Sequence, residues 1–282
     1  MRLLPRKGDL EMIRIVSCAL VIATSIGTAV ALTFLPEPPF GDGYIPSKIS
    51  DGRAETAFFN AIGKDIGSGQ RCRTIAITRL FRAAGDAAQI AQIMTDLSDC
   101  ANRKMRNTER LEAALEAAGR FPECLAGHRG GATARYLGDF STLLLDGYQD
   151  EIFCDGTQPL PISGGGFVPS EAAILEGEVL VASEMARQFK AQVKCWAKAV
   201  VGAATARGDA AAVQKAATKA IACSDNARAR YDTMTTAGLA AGLMPACLIA
   251  RGGPAHYGVI ADFFSMWDFS IYCASPSGAF ID

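Results

Sequence analysis

The amino-acid sequence predicts an all-α protein built by tandem duplication of a disulfide-stapled unit of four to five helices. The segment from Cys72 to Cys100 recurs 123 positions later as the segment from Cys195 to Cys223. In each copy a Gly-Asp pair separates two runs of helix-forming residues. Half of the residues are hydrophobic but only 8% are aromatic, a balance that favours helices over sheets.

The Gly-Asp pairs are Gly85-Asp86 in the first copy and Gly208-Asp209 in the second. Glycine adopts the left-handed conformation that follows a helix end, and aspartate accepts backbone N–H groups at the start of the next helix. We therefore predict a helical hairpin around each pair, with these four residues as helix caps.

The cysteine spacing around each hairpin predicts a disulfide. Cys72 lies 13 residues before Gly85, and Cys100 lies 15 residues after it. Two antiparallel helices rise equally per residue, so these cysteines come level at the open end of the hairpin. The same arithmetic predicts a bond between Cys195 and Cys223.

Four further cysteines recur in the duplicated pattern, and a ninth, Cys18, stands apart in the N-terminal apolar stretch. We expect each half to pair its own remaining cysteines, Cys124 with Cys154 and Cys247 with Cys273. A pairing of Cys100 with Cys154 stays open, because spacing alone does not determine connectivity.

The two copies differ in their predicted helices. In copy one the first helix runs from about residue 55 to 66, where Gly63, Gly67 and Gly69 interrupt it. In copy two nothing interrupts the helical pattern from residue 171 to 206. The last helix of each copy is expected to open near Asp139 or Asp262.

The N-terminal residues 1–35 predict a signal peptide or a membrane anchor. The segment from Ile15 to Leu35 carries no charged residue and is long enough to span a bilayer. It contains a signal-peptidase pattern, so cleavage after Ala31 and retention as an anchor are both open. The true start is Met1 or Met12.

The remaining chain divides into four parts in this prediction. Residues 36–42 form a Pro-rich spacer, residues 43–154 the first repeat, residues 155–165 a linker and residues 166–282 the second repeat. Cysteines in even number at duplicated spacings indicate disulfides, hence a periplasmic or other extracytoplasmic location. With a formal net charge of −1, no basic surface argues for nucleic acid, and we expect no nucleic-acid partner.

Few residues are candidates for chemistry, and we predict no catalytic, cofactor or metal site from them. The duplicated acids Glu55 and Glu178 are placed at the start of the first helices, where a carboxylate favours the helix dipole. Asp139 and Asp262 are interpreted as helix caps. The histidines His128 and His256 fall in Gly-rich loops without further metal ligands nearby.

These observations favour an exported, non-catalytic binding or assembly module of a bacterial cell envelope. Its expected partner is an envelope protein, with membrane attachment through residues 15–35 if they are uncleaved, as in an accessory subunit of an inner-membrane complex. One alternative is an envelope hydrolase that uses carboxylates on cell-wall material. Another is a small-ligand binding protein with its site between the repeats.

Overall fold

The computed structural model describes residues 43–104, 106–126, 147–148, 150–161, 166–267 and 271–280. The predicted signal or anchor, the spacer, Cys18, His128 and Asp139 lie outside the described residues. The described part is predominantly helical. Its elements are β1 (Tyr44–Pro46), α1 (Ile49–Ala83), α2 (Ala87–Lys104), α3 (Asn107–Ala117), α4 (Glu123–Ala126), α5 (Ala172–Ala206), α6 (Ala210–Ala240), α7 (Ala246–Ala250), α8 (Gly253–Trp267) and β2 (Pro276–Phe280).

The two longest helices, α1 and α5, form the centre of the fold and pack against each other. Both contain 35 residues. A Cβ atom built on Gly63 would lie 2.8 Å from Cγ1 of Val193, and one on Gly67 would lie 3.6 Å from Cδ of Lys190. Gly67 follows Gly63 along α1, whereas its contact Lys190 precedes Val193 along α5. The two helices therefore run antiparallel.

The glycines of α1 do not interrupt it, and the prediction of a short helix from 55 to 66 is wrong. Gly63 lies at the interface with Val193, where there is no room for a side chain. Close packing against Val193 therefore compensates for the low helix propensity of Gly63. In copy two the uninterrupted helix predicted from 171 to 206 is observed as α5.

Each central helix forms a hairpin with the helix that follows it. The connections pass through left-handed residues, Ala84 and Gly85 before α2, and Arg207 and Gly208 before α6. The aspartates that follow have the predicted geometry. Asp209 accepts N–H groups from Ala211 and Ala212, and Asp86 accepts those of Ala88 and Gln89.

The two hairpins differ after their turns. In the first, a buried acid divides the chain into two helices, α2 and α3, whereas the second continues as the single helix α6. Asp65 of α1 accepts the backbone N–H groups of Asn107 and Thr108, each at 2.9 Å. It also accepts the Thr108 hydroxyl at 2.5 Å. These bonds cap α3 from a neighbouring helix, so α3 is separate from α2, whereas α6 runs unbroken for 31 residues.

Helix α8 begins earlier than predicted, at Gly253 and not near Asp262. Gly252 and Gly253 have positive φ, at 101° and 65°, and form the turn after α7. Pro254 follows as an early helical residue, a position that suits its fixed φ. Asp262 therefore lies inside α8, and its interpretation as a helix cap is wrong.

Four disulfides join the eight cysteines of the described residues. Two close the hairpins, Cys72 with Cys100 and Cys195 with Cys223, each across 28 positions. The other two cross between the halves. They are Cys124–Cys273 and Cys154–Cys247, across 149 and 93 positions. The expected pairs Cys124–Cys154 and Cys247–Cys273 are therefore wrong, as is Cys100–Cys154.

The crossed pairing follows from which segments meet at the starts of α1 and α5. After α3 the chain returns to α1, where the ring of Phe121 lies 6.0 Å from that of Phe58. After α6 it returns to α5, where a Cβ on Gly177 would lie 1.8 Å from the carbonyl oxygen of Leu243. Each of these returns brings a cysteine, Cys124 or Cys247, to the start of the first helix of its own half.

The tail of the other half occupies the same two places. The backbone N–H of Tyr44 donates to the carbonyl of Tyr272 at 2.7 Å, and that of Phe167 donates to Phe153, also at 2.7 Å. Strand β1 continues the first contact by pairing antiparallel with β2. Cys273 therefore meets Cys124, and Cys154 meets Cys247. Crosslinks that close such long loops stabilise by roughly 4–5 kcal/mol each in the chain-entropy model.

The close approach of α1 and α5 can be tested by filling its glycines. We expect Gly63→Leu to lower the free energy of unfolding by about 1–3 kcal/mol, because the new side chain overlaps Val193. The matched control is Gly67→Ala, whose Cβ makes an ordinary contact and which should be neutral or stabilising by up to about 1 kcal/mol. Urea unfolding with the disulfides intact measures both, and equal effects would contradict the tight contact at Gly63.

The crossed disulfides can be tested by peptide mapping without reduction. We expect mass spectrometry of the proteolysed protein to find Cys124 linked to Cys273 and Cys154 linked to Cys247. Hairpin peptides that link Cys72 to Cys100 serve as the internal control. Recovery of Cys124 linked to Cys154 would refute the crossed arrangement.

Candidate functional site

Two fully buried glutamates are the most unusual polar groups among the described residues. Glu55 is the seventh residue of α1, and Glu178 is the seventh residue of α5; neither side chain is exposed. They do not act on the first helical turn as the sequence suggested. Both lie one turn further along, at the places where the tail segments cross over.

Each glutamate binds the backbone of a tail segment through one carboxylate oxygen. Oε1 of Glu55 accepts the N–H groups of Cys273 at 2.5 Å and Ala274 at 2.6 Å. Oε1 of Glu178 accepts those of Cys154 at 2.9 Å and Asp155 at 3.1 Å. The carboxylates therefore satisfy N–H groups of segments that have neither helix nor sheet to receive them.

Burial changes the acidity of both groups. Removal from water raises the pKa of Glu55 to about 7 and that of Glu178 to about 8, although the two accepted N–H groups act in the opposite direction. In each side chain the second oxygen, Oε2, is buried without a hydrogen-bond partner among the described residues. Folding therefore shifts both groups towards the protonated acid relative to the unfolded chain.

Each glutamate also lies beside a crossed disulfide. A carboxylate oxygen of Glu55 and the sulfurs of Cys124 and Cys273 fall within 4.8 Å of one another, and Glu178 has the same relation to Cys154 and Cys247. The ligand that zinc takes from cysteine is the thiolate. Sulfurs bonded to each other offer no thiolate, so each trio is left with one carboxylate as a zinc ligand while its disulfide is intact.

Asp262 is the centre of a separate polar cluster that joins α8 to α5 and α6. Its Oδ2 accepts Nη1 of Arg228 at 2.6 Å, and its Oδ1 accepts Nε2 of Gln188 at 2.6 Å and Nε2 of Gln192. Arg228 also donates Nε to Asp232 at 3.0 Å. The side chain of Asp262 is one-third exposed. Its charge is compensated by Arg228, and the cluster serves to fix α8.

The other sequence candidates occupy ordinary positions where the structure describes them. His256 is exposed on α8, not in a loop, and its ring lies 5.2 Å from that of Tyr257. Asp86 and Asp209 are exposed helix caps, and the N–H groups that Asp86 accepts lower its pKa. Glu55 and Glu178 bind the backbone of different tail segments, and Asp262 binds side chains of α5 and α6, so each of these acids has its own set of partners.

The sequence analysis missed three buried acids, Asp65, Asp150 and Glu184, and the first two bind groups from distant segments. Asp65 caps α3 from 42 and 43 positions away, and Asp150 forms a buried ion pair with Arg73 across 77 positions. Neither has a local pattern, since the groups that each acid binds come from distant segments. Only the arrangement of helices around α1 determines which acids are enclosed.

Comparison with protein-family models, with curated proteins and with solved structures finds no match for this chain. Among the described residues, no helix combines the length and the apolar character needed to cross a bilayer.

The buried glutamates predict a stability that falls as pH rises. Unfolded glutamates titrate near 4.5, and the folded ones near 7 and 8. Between these values the folded chain binds more protons than the unfolded one. This stabilisation is complete below about pH 4.5 and is lost as pH passes 8. For each glutamate the unfolding free energy should fall by roughly 1 kcal/mol per pH unit within its interval.

The variant Glu55→Gln/Glu178→Gln should abolish most of this decline, because an amide oxygen still accepts the N–H groups but does not titrate. The matched control is Glu176→Gln, an exposed residue of the same helix as Glu178, which should keep the wild-type slope. Urea unfolding at pH 5 and pH 8.5 measures the slope. An unchanged slope in the double variant would mean that the glutamates are ionised in the fold.

Proposed function

We propose that this protein is an exported, non-catalytic binding or assembly module of a bacterial cell envelope. The observation that carries the proposal is the use of all eight described cysteines in four disulfides, two of which tie distant parts of the chain together. Such bonds persist in oxidising compartments and are rare in the reducing cytosol. A body crosslinked in this way suits a rigid surface that presents binding residues.

The proposed architecture is a duplicated helical unit whose two copies exchange their tail segments. Support comes from contacts that recur at an offset of 123 in the first part of each unit: the hairpin disulfides, the capping aspartates, and the buried glutamates Glu55 and Glu178. The tail contacts of Tyr44 with Tyr272 and of Phe167 with Phe153 also correspond, with Tyr44 and Phe167 123 positions apart and Phe153 and Tyr272 119 positions apart. An exchange of this kind binds the two copies into one body.

The candidate acids support a non-catalytic role. Glu55 and Glu178 have no exposed surface and are occupied by backbone N–H groups, and Asp262 is compensated by Arg228. A carboxylate that acts on a cell-wall polymer must contact that polymer. None of these contacts favours the alternative of an envelope hydrolase.

A membrane-tethered form is the narrower version of the proposal. Residues 15–35 would anchor the body as an accessory subunit of an inner-membrane complex, and residues 36–42 would separate the body from the bilayer. An N-terminus mapped at Leu32 in material from the envelope would remove this version and leave the released form.

The apolar side chains that stay exposed provide positions at which to trap a partner. Leu239, Ile249 and Val259 are about half exposed, at 48%, 51% and 51%. We expect a photo-crosslinking residue placed at one or more of them in the full chain to give a single adduct of defined mass in intact bacterial envelopes. Binding partners cover exposed apolar side chains preferentially.

The matched controls are Gln214 and Thr218, exposed polar positions on α6, which should give no adduct. A protein that yields no discrete adduct at any of the three apolar positions, in cells where it is folded and oxidised, would contradict the proposed assembly role.

A further inference from the structure

After their first few residues, the central helices bury their acidic residues and expose most of their cations. From residue 53 to the end of α1 and from residue 178 to the end of α5, every acidic residue is buried: Glu55, Asp65, Glu178 and Glu184. Every charged residue that reaches solvent in these two stretches is a lysine or an arginine. The chain as a whole carries a net charge of only −1, so its overall composition conceals a local basic surface.

The cations on α5 lie on one side of the helix. Lys190, Lys194 and Lys198 are exposed and spaced four residues apart, which places them in one row. On α1 the exposed cations Lys64 and Arg71 are two turns apart and so also share a side.

The two rows meet between the helices. The side chain of Lys190 lies against Gly67, with its Cδ 3.6 Å from where a Cβ would be. Gly67 stands between Lys64 and Arg71 on α1, within one turn of each. We call this surface the basic face and define it by Lys64, Arg71, Lys190, Lys194 and Lys198.

The charges of the basic face are not compensated within the described part of the chain. None of its five cations lies in a salt bridge with a described carboxylate, whereas the neighbouring Arg79 and Arg187 are paired with Asp96 and Glu184. Five uncompensated cations over a few helical turns repel one another. Such a surface is stabilised when a polyanion covers it.

We propose that the basic face docks on the surface of an anionic phospholipid bilayer. The cations are mainly lysines, which bind phosphate as point charges without demanding one geometry. Ile75 is 45% exposed one turn beyond Arg71, where it can enter the interfacial region of a bilayer.

The chain outside the described residues favours the same occupant. The described body begins at Gly43, directly after the seven-residue spacer 36–42, and a chain of that length spans at most roughly 25 Å when fully extended. If residues 15–35 are retained, the body is therefore confined close to a bilayer, at high effective concentration. Each added lysine or arginine near an anionic membrane then increases binding roughly five-fold.

Nucleic acid is the less favoured polyanion. Single strands bind to basic grooves that also present aromatic rings for stacking. In the parts of α1 and α5 that carry the basic face, no aromatic side chain is fully exposed. Phe58, Phe59, Phe189 and Trp196 are buried. The inference rests in part on the proposed export, since an exported protein meets lipid phosphate before nucleic acid.

Lysine acylation of the full chain on vesicles tests the proposal. The vesicles contain either phosphatidylcholine alone or phosphatidylcholine with 30% phosphatidylglycerol, and mass spectrometry reads each site. On anionic vesicles we expect labelling of Lys190 and Lys194 to fall about five-fold or more, and to recover at about 0.5 M salt, where charge interactions are screened. Lys48 and Lys104, exposed lysines outside the basic face, should label equally with both lipids.

If residues 15–35 are retained, their insertion is common to both lipids and cancels in this comparison. The variant Lys190→Glu/Lys194→Glu should bind anionic vesicles at least ten-fold more weakly than Lys48→Glu/Lys104→Glu, which changes the net charge equally. Equal labelling with both lipids would overturn the proposal, as would protection by duplex DNA without protection by vesicles. Partner adducts at the apolar positions report separately on the assembly role, so the two proposals can fail independently.

Discussion

The fold depends on how the tail segments dock against the starts of the two central helices. At each place a buried carboxylate accepts two consecutive backbone N–H groups, and a disulfide fixes the same segment from the other side. Backbone N–H groups buried without partners are costly. Glu55 and Glu178 remove that cost for segments outside regular structure, and so allow the two halves of the chain to close on each other.

Docking through a buried carboxylate has a desolvation cost, and the crossed disulfides offset it. A buried carboxylate loses hydration, which is why the pKa of both glutamates rises and why one oxygen of each is left without a described partner. The crossed disulfides restrict the unfolded chain over long loops and so offset this cost. The combination holds the tail segments at two places, each with a buried glutamate that binds the backbone and a disulfide beside it.

The arrangement of charge follows from the same central packing. Because α1 and α5 approach closely and other elements pack against them, the acids Glu55, Asp65, Glu178 and Glu184 are enclosed and bind N–H groups or arginines. Their cations remain on the side that faces solvent. A nearly neutral chain thus acquires a basic face that its net charge does not predict, and this face is the surface that we propose for contact with an anionic bilayer.

The sequence by itself determined the features whose partners are close along the chain. Gly85 with Asp86 and Gly208 with Asp209 define hairpins, and the hairpins bring Cys72 to Cys100 and Cys195 to Cys223, because helical rise per residue is constant. It also determined the helical class, since the runs between these signals favour helices. The tertiary structure decided everything that depends on distant segments. From the sequence, Gly63 is interpreted as a helix breaker, whereas in the structure it allows Val193 to pack closely against α1. Glu55 reads as a favourable first-turn charge until Cys273 arrives from 218 positions away. The crossed disulfides likewise depend on which tail docks at which helix, a choice made by packing between halves that local spacing does not encode.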